Sequence, residues 1–168
     1  MTPSASSQND FRKLGFVVLN NVYSTSEINN ILHLISQTDN SNELFRKCED
    51  LFAIRQFLKV VPKSKSVIFN ERLLNIIDSV FGNNYFVTKS IYFDKPEKSN
   101  WFVAYHQDLT ISVDRKIYLK GYGPWAVKQD QFSVQPPLDI LKDNFTIRIH
   151  LDDTTINNGA LKVIPGSH

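Results

Sequence analysis

The apolar residues change period at Gly82, and that change constrains the fold more than any other feature of the chain. Before it the spacing is helical. Ser24 and Glu27 stand at capping-box separation. Ile28, Ile31, Leu32 and Ile35 follow at i, i+3, i+4 and i+7, which predicts an amphipathic helix, with His33 beside the stripe as an ordinary boundary residue. A second helix is expected over Glu43 to Leu58, ended by Pro62. A third is expected over Glu71 to Phe81. Asn70 can cap it, Leu73, Leu74, Ile77 and Val80 would face the core, and Gly82 would supply the left-handed stop. Phe11 to Leu19 reads as a short lead-in element, with Phe16 to Leu19 as a compact apolar strand.

After Gly82 the residues favour strands. Tyr85 to Phe93 is β-rich, Asp94 to Asn100 is a polar turn, and Phe102 to Ile111 reads as a second strand. Gly121 to Pro137 holds three Pro and two Gly, which predicts a long irregular loop. Phe145 to Leu151 alternates, and Leu161 to Ile164 closes a hairpin through Asn157-Asn158-Gly159. Helices first and strands second argue for an α+β fold, helical over about 1–82 and β-rich over about 83–168.

At 168 residues, 42% of them apolar, one domain with its own core is expected. Nineteen basic residues nearly balance seventeen acidic ones, and no Lys or Arg stripe suggests a nucleic-acid partner. Lys63-Ser64-Lys65 reads as a solvated loop. The single cysteine, Cys48, excludes an internal disulfide and suits a reducing compartment. Leu44, Phe45, Leu51 and Phe52 surround it at helical spacing, which predicts a buried thiol and not a nucleophile. The first ten residues lack the basic and apolar regions of a signal peptide, and no run reaches the ~18 apolar residues of a membrane span. The expected location is cytoplasmic.

Candidate chemistry centres on His106-Gln107-Asp108. In a strand, residues i and i+2 share a face, so His106 and Asp108 would project together with Gln107 turned away. One imidazole nitrogen beside one carboxylate suits Fe(II), whose facial triad of two His and one carboxylate leaves positions open for co-substrate and dioxygen. Alone, the triplet also fits a surface His near an Asp. Its setting among Trp101, Phe102, Val103 and Tyr105 favours the metal reading. Further on, Thr146, Arg148, His150 and Asp152 would take one strand face and Phe145, Ile147, Ile149 and Leu151 the other. That polar face either meets solvent or lines a pocket, where an Arg fork can bind a carboxylate bidentately.

Several motifs in order carry a resemblance. They are Phe93-Asp94-Lys95-Pro96, Trp101 with His106-Gln107-Asp108-Leu109-Thr110, Gly121-Tyr122-Gly123-Pro124-Trp125, and Val134-Gln135-Pro136-Pro137. Leu151-Asp152-Asp153 and Asn158-Gly159-Ala160-Leu161, with Ile164-Pro165-Gly166-Ser167-His168, complete the set. The region from Tyr85 to His168 thereby resembles the phytanoyl-CoA dioxygenase family of the Fe(II)/2-oxoglutarate-dependent oxygenases. The resemblance implies a double-stranded β-helix, or jelly roll, buttressed by the N-terminal helices. It implies that His106 and Asp108 bind iron, with 2-oxoglutarate as co-substrate and a small organic molecule hydroxylated by dioxygen. It places Lys89 and Arg148 near the co-substrate and Trp125 and Gln135 near the substrate.

The sequence departs from the family pattern at its end. The resemblance implies a second His ligand and a co-substrate Arg beyond the Pro-Gly-Ser-His hairpin. His168 is implied to belong to that hairpin and not to the metal, and His150 is a marginally better substitute. A jelly roll needs about eight strands, more than the candidates after Gly82 supply. The chain is therefore expected to be a fragment, inactive by itself, of a longer dioxygenase. The alternatives are a catalytically inactive jelly-roll binding module and an interaction domain in which His106 and Asp108 form a salt bridge.

Overall fold

The computed structural model describes residues 4–38, 45–48, 51–94, 103–128, 131–157 and 160–168. Helices dominate the first half of the chain, interrupted by one pair of strands. Helix α1 (Ala5–Leu14) begins at Ser4, whose hydroxyl accepts from the Ser7 N–H, and ends at Gly15 in the left-handed conformation (φ 81°). The sequence pattern does not reveal α1, because its residues are polar almost all round. Its caps, Phe11 edge-on against Phe81 at 5.3 Å, and a bond from Gln8 Nε2 to the Ser79 carbonyl (3.5 Å) help to hold it instead. No strand forms over Phe16 to Leu19. Helix α2 (Thr25–Ser36) carries the expected capping box between Ser24 and Glu27 and buries Ile31. Short helices α3 (Phe57–Val60) and α4 (Lys65–Ile68) flank a 3-10 turn at Pro62–Ser64, so the expected Lys63-Ser64-Lys65 loop is helical, with both lysines exposed. Helix α5 (Glu71–Phe81) is capped by Asn70, whose side chain accepts from the Leu73 N–H, and stops at Gly82 (φ 86°). Leu73 is buried, but Leu74 is 49% exposed and does not join the core face.

The expected helix over Glu43 to Leu58 is replaced by an antiparallel hairpin, β1 (Phe45–Cys48) and β2 (Leu51–Arg55). Strand β3 (Ile91–Asp94) pairs with the other edge of β2, giving the order β1-β2-β3. The physical reason lies at Ala53 and Ile54. These neighbours point to opposite faces of a strand, and both are buried, at 2% and 0% exposure. A strand covered on both sides reads as a continuous apolar run, which periodicity does not separate from a buried helix. Cys48 consequently sits in a strand, and the helical spacing around it does not exist. Ile54 packs with Phe57 and Val61, and Leu34, Ile35, Leu58, Val60, Ile68 and Tyr92 close around them. Burial of each such aliphatic side chain contributes about 1.5–3 kcal/mol. Ser90 fastens β3 to α3: its carbonyl accepts from Phe57 N (3.1 Å) and its hydroxyl from Leu58 N (3.1 Å).

The second half holds a smaller sheet, order β4-β6-β5, built from β4 (Ile111–Val113), β5 (Trp125–Lys128) and β6 (Gln131–Val134), all antiparallel. The expected irregular loop from Gly121 to Pro137 thus contains a hairpin. Its prolines flank the strands and do not interrupt them, so they mark its ends. Helix α6 (Leu138–Lys142) follows.

Other expected strands are absent. Of Tyr85 to Phe93 only the end is β3. Residues 103–110, 145–151 and 161–164 join no ladder among the described residues. The turn at Asn158-Gly159 and the polar stretch after Asp94 lie outside the described residues. Alternation at 145–151 survives only in part, since Phe145, Ile149 and Leu151 are half-buried but Ile147 is exposed. Phe145 stacks on Phe81 at 3.7 Å, and Tyr85 meets both rings edge-on. This cluster, with Phe11, joins α1, α5 and the 145–151 segment. The chain exposes 12445 Å² in all. A compact monomer of this mass exposes about 8,500 Å² by the surface–mass relation. Large apolar side chains contribute to the exposed area, among them Val103, Tyr105, Tyr118, Val127 and Leu161, each more than half exposed.

Candidate functional site

His106 and Asp108 lie on the extended segment that leads into β4, and both side chains are exposed. The expected strand does not form there because its apolar side chains have nothing to cover them: Val103 is 57% and Tyr105 65% exposed. The imidazole is nevertheless oriented. His106 Nδ1 lies 2.8 Å from the Ala104 carbonyl oxygen. A carbonyl only accepts, so Nδ1 carries a proton, and in the neutral ring the lone pair is then at Nε2. Metal-binding histidines show this arrangement, in which one ring nitrogen donates to a carbonyl and the other is free to ligate. A neutral nitrogen donor and a carboxylate two residues on are chemically suited to a ferrous ion. They are two donors, and among the described residues no group of three His, Cys, Asp or Glu is placed to hold a metal. His150 is engaged elsewhere, with Nδ1 3.0 Å from the Thr154 hydroxyl. The ring of His168 lies against Gly15 at the end of α1.

Gln107, between the two donors, reaches the other end of the chain. Its Nε2 donates to the Ser167 carbonyl at 2.7 Å. The Pro165–His168 turn is itself fixed to α1, because Gly166 N donates to the Leu14 carbonyl at 2.8 Å. Sequence reasoning turned Gln107 away from the donors but gave it no role. The signal available was its place between them.

The β5–β6 hairpin places Trp125 and Gln135 one register step apart along the ladder. Trp125 pairs with Val134. Gly123 N donates to the Gln135 carbonyl (2.9 Å), and Gln135 N donates to the Pro124 carbonyl (3.2 Å) across a cis Gly123–Pro124 bond. Both side chains are half-buried, and Lys116 Nζ stands 5.9 Å from the Trp125 ring. Lys89 and Arg148 are exposed. Tyr92 is half-buried and its hydroxyl is pushed up to about 12, first by burial and then by the carboxylates of Asp94 and Asp152. An open depression beside Asn9, Asp10, Arg12 and Lys13 on α1 is lined by none of the candidate residues.

Among the described residues no helix is long and apolar enough to cross a membrane. Structurally the chain is a mixed helix-and-sheet protein with small antiparallel sheets, carrying a histidine–carboxylate pair on an exposed segment. It belongs to the phytanoyl-CoA dioxygenase (PhyH) family, whose family model matches residues 11–168. That family is one of oxygenases, generally dependent on Fe(II) and 2-oxoglutarate. No curated protein and no solved structure matches the chain.

Proposed function

We propose that this chain carries the metal-binding strand region of an Fe(II)- and 2-oxoglutarate-dependent dioxygenase that hydroxylates a small organic substrate. The observation that carries this reading is the His106 Nδ1 bond to the Ala104 carbonyl, which in the neutral ring leaves Nε2 to donate to a metal, with Asp108 two residues on. His106 and Asp108 would hold the ion, with the Asp108 carboxylate offsetting part of its charge. When bound, the ion supplies dioxygen chemistry in which 2-oxoglutarate becomes succinate and carbon dioxide while a substrate C–H becomes C–OH. Arg148 and Lys89 offer cations for the co-substrate carboxylates. Trp125 and Gln135, adjacent on the β5–β6 hairpin, offer an apolar wall and a polar contact to the substrate. A reducing, cytoplasmic setting suits both the ferrous ion and the lone Cys48.

The architecture we propose is a jelly roll completed by further strands, which would also bring the third donor. The large exposed apolar area after Gly82 supports this. The test is succinate formation, dependent on Fe(II) and 2-oxoglutarate, in a form of the protein that includes those strands. Turnover that His106→Ala abolishes is expected, and turnover unchanged by that substitution would refute the proposal. The donor count of two among the described residues favours one second reading, a binding module without catalysis. Iron binding with no succinate formed in that longer form would select it.

A further inference from the structure

We infer that Gln107 is a positioning residue that ties the His106–Asp108 segment to the Pro165–His168 turn, and through that turn to the end of α1. The inference rests on reading His106 and Asp108 as metal donors. Among the described residues the segment from 103 to 110 joins no ladder, which gives a side-chain bond to it more weight in its placement. Gln107 provides one across sixty residues, Nε2 to the Ser167 carbonyl at 2.7 Å. The receiving turn is rigid for three separate reasons. Gly166 N donates to the Leu14 carbonyl, one of the acceptors left open at the end of α1. The Ser167 hydroxyl donates to the Ile164 carbonyl at 2.8 Å. His168 fills the space over Gly15 so closely that a Cβ there would lie 2.5 Å from its Nδ1. His106 and Asp108 are thus carried on a short span whose middle residue is pinned to a helix end. The amide of Gln107 touches no reacting atom in this role, and it sets where the two donors stand.

Two measurements on the full chain test the tie, one with metal and one without. In the metal-free protein, amide hydrogen exchange at Gly166 and Ser167, whose N–H groups are bonded in the turn, should rise in Gln107→Leu by about fivefold, the equivalent of one typical net hydrogen bond. Titration with Co(II) alone should show affinity lowered about tenfold in the same variant, the low end of the range for loss of an outer-shell partner. Its unfolding midpoint in urea should fall by no more than one hydrogen bond accounts for, whereas a merely structural role would move the midpoint and leave the affinity in place. Exchange unchanged at Gly166 and Ser167 overturns the tie. Unchanged Co(II) affinity in Gln107→Leu, with His106→Ala losing binding, overturns the positioning role. If His106→Ala binds Co(II) like the unaltered chain, the donor assignment has failed, and the exchange result alone then decides the tie.

Discussion

Gly15 is the position where the architecture and the candidate site meet, and replacing it with alanine has a calculable cost. Gly15 closes α1 with φ 81°, a conformation that costs an L-residue about 1–2 kcal/mol. The added Cβ would stand 2.5 Å from His168 Nδ1 and 2.9 Å from its Cβ, so the turn must retreat. Retreat breaks the Gly166 N to Leu14 carbonyl bond (2.8 Å). That bond contributes about 1 kcal/mol net. Gly15→Ala should therefore destabilise the chain by about 2–3 kcal/mol. In a His168→Gly background the obstructing ring and Cβ are gone, and only the backbone term of about 1–2 kcal/mol should remain. Urea unfolding followed by tryptophan fluorescence gives both values, and the coupling between the two changes should be about 1 kcal/mol. An equal cost of Gly15→Ala in both backgrounds would refute the packing of His168 on Gly15, and with it the anchoring of the Pro165–His168 turn.

Three further outcomes follow from the same structure. Glu27 accepts from the Ser24 backbone N–H and hydroxyl, from Asn70 and from Arg72, and these hold its carboxyl down at about 2. A depressed carboxyl stabilises the fold fully above about pH 4.5 and loses that contribution as pH falls toward 2, so Glu27→Gln should flatten the acid limb of a stability–pH curve in that window. Ile54→Ala, at a site with 0% exposure, should cost about 2–5 kcal/mol in chemical denaturation. Tyr92, raised to about 12, should stay protonated past the ordinary phenol range; the folded state then loses the associated stability as pH rises from 10 toward 12, and Tyr92→Phe should remove one late step from an ultraviolet titration.

Helices α2 and α5 were legible because their caps are side-chain events written in single residues: Ser24 with Glu27, and Asn70 with Gly82. Helix α1 was not, since Ser4 and Gly15 bracket a nearly all-polar segment whose support, Phe81, is distant in sequence. The β1–β2 hairpin was misread because β2 is covered on both faces and lacks the alternation that marks a half-buried strand. The β5–β6 hairpin was hidden by the prolines that bound it. At the candidate site, residue types announced a His–carboxylate pair. Neither the hydrogen bond from His106 to the Ala104 carbonyl nor the reach of Gln107 to Ser167 leaves a mark in composition or period, because both depend on where an extended backbone happens to pass.

Whether His106 and Asp108 are metal donors is settled most directly by anaerobic Fe(II) titration of the full chain with nitric oxide as the spectroscopic probe. The account predicts an iron–nitrosyl signal that weakens sharply in both His106→Ala and Asp108→Ala and persists in His150→Ala. A signal of equal strength in His106→Ala and the unaltered chain would contradict it.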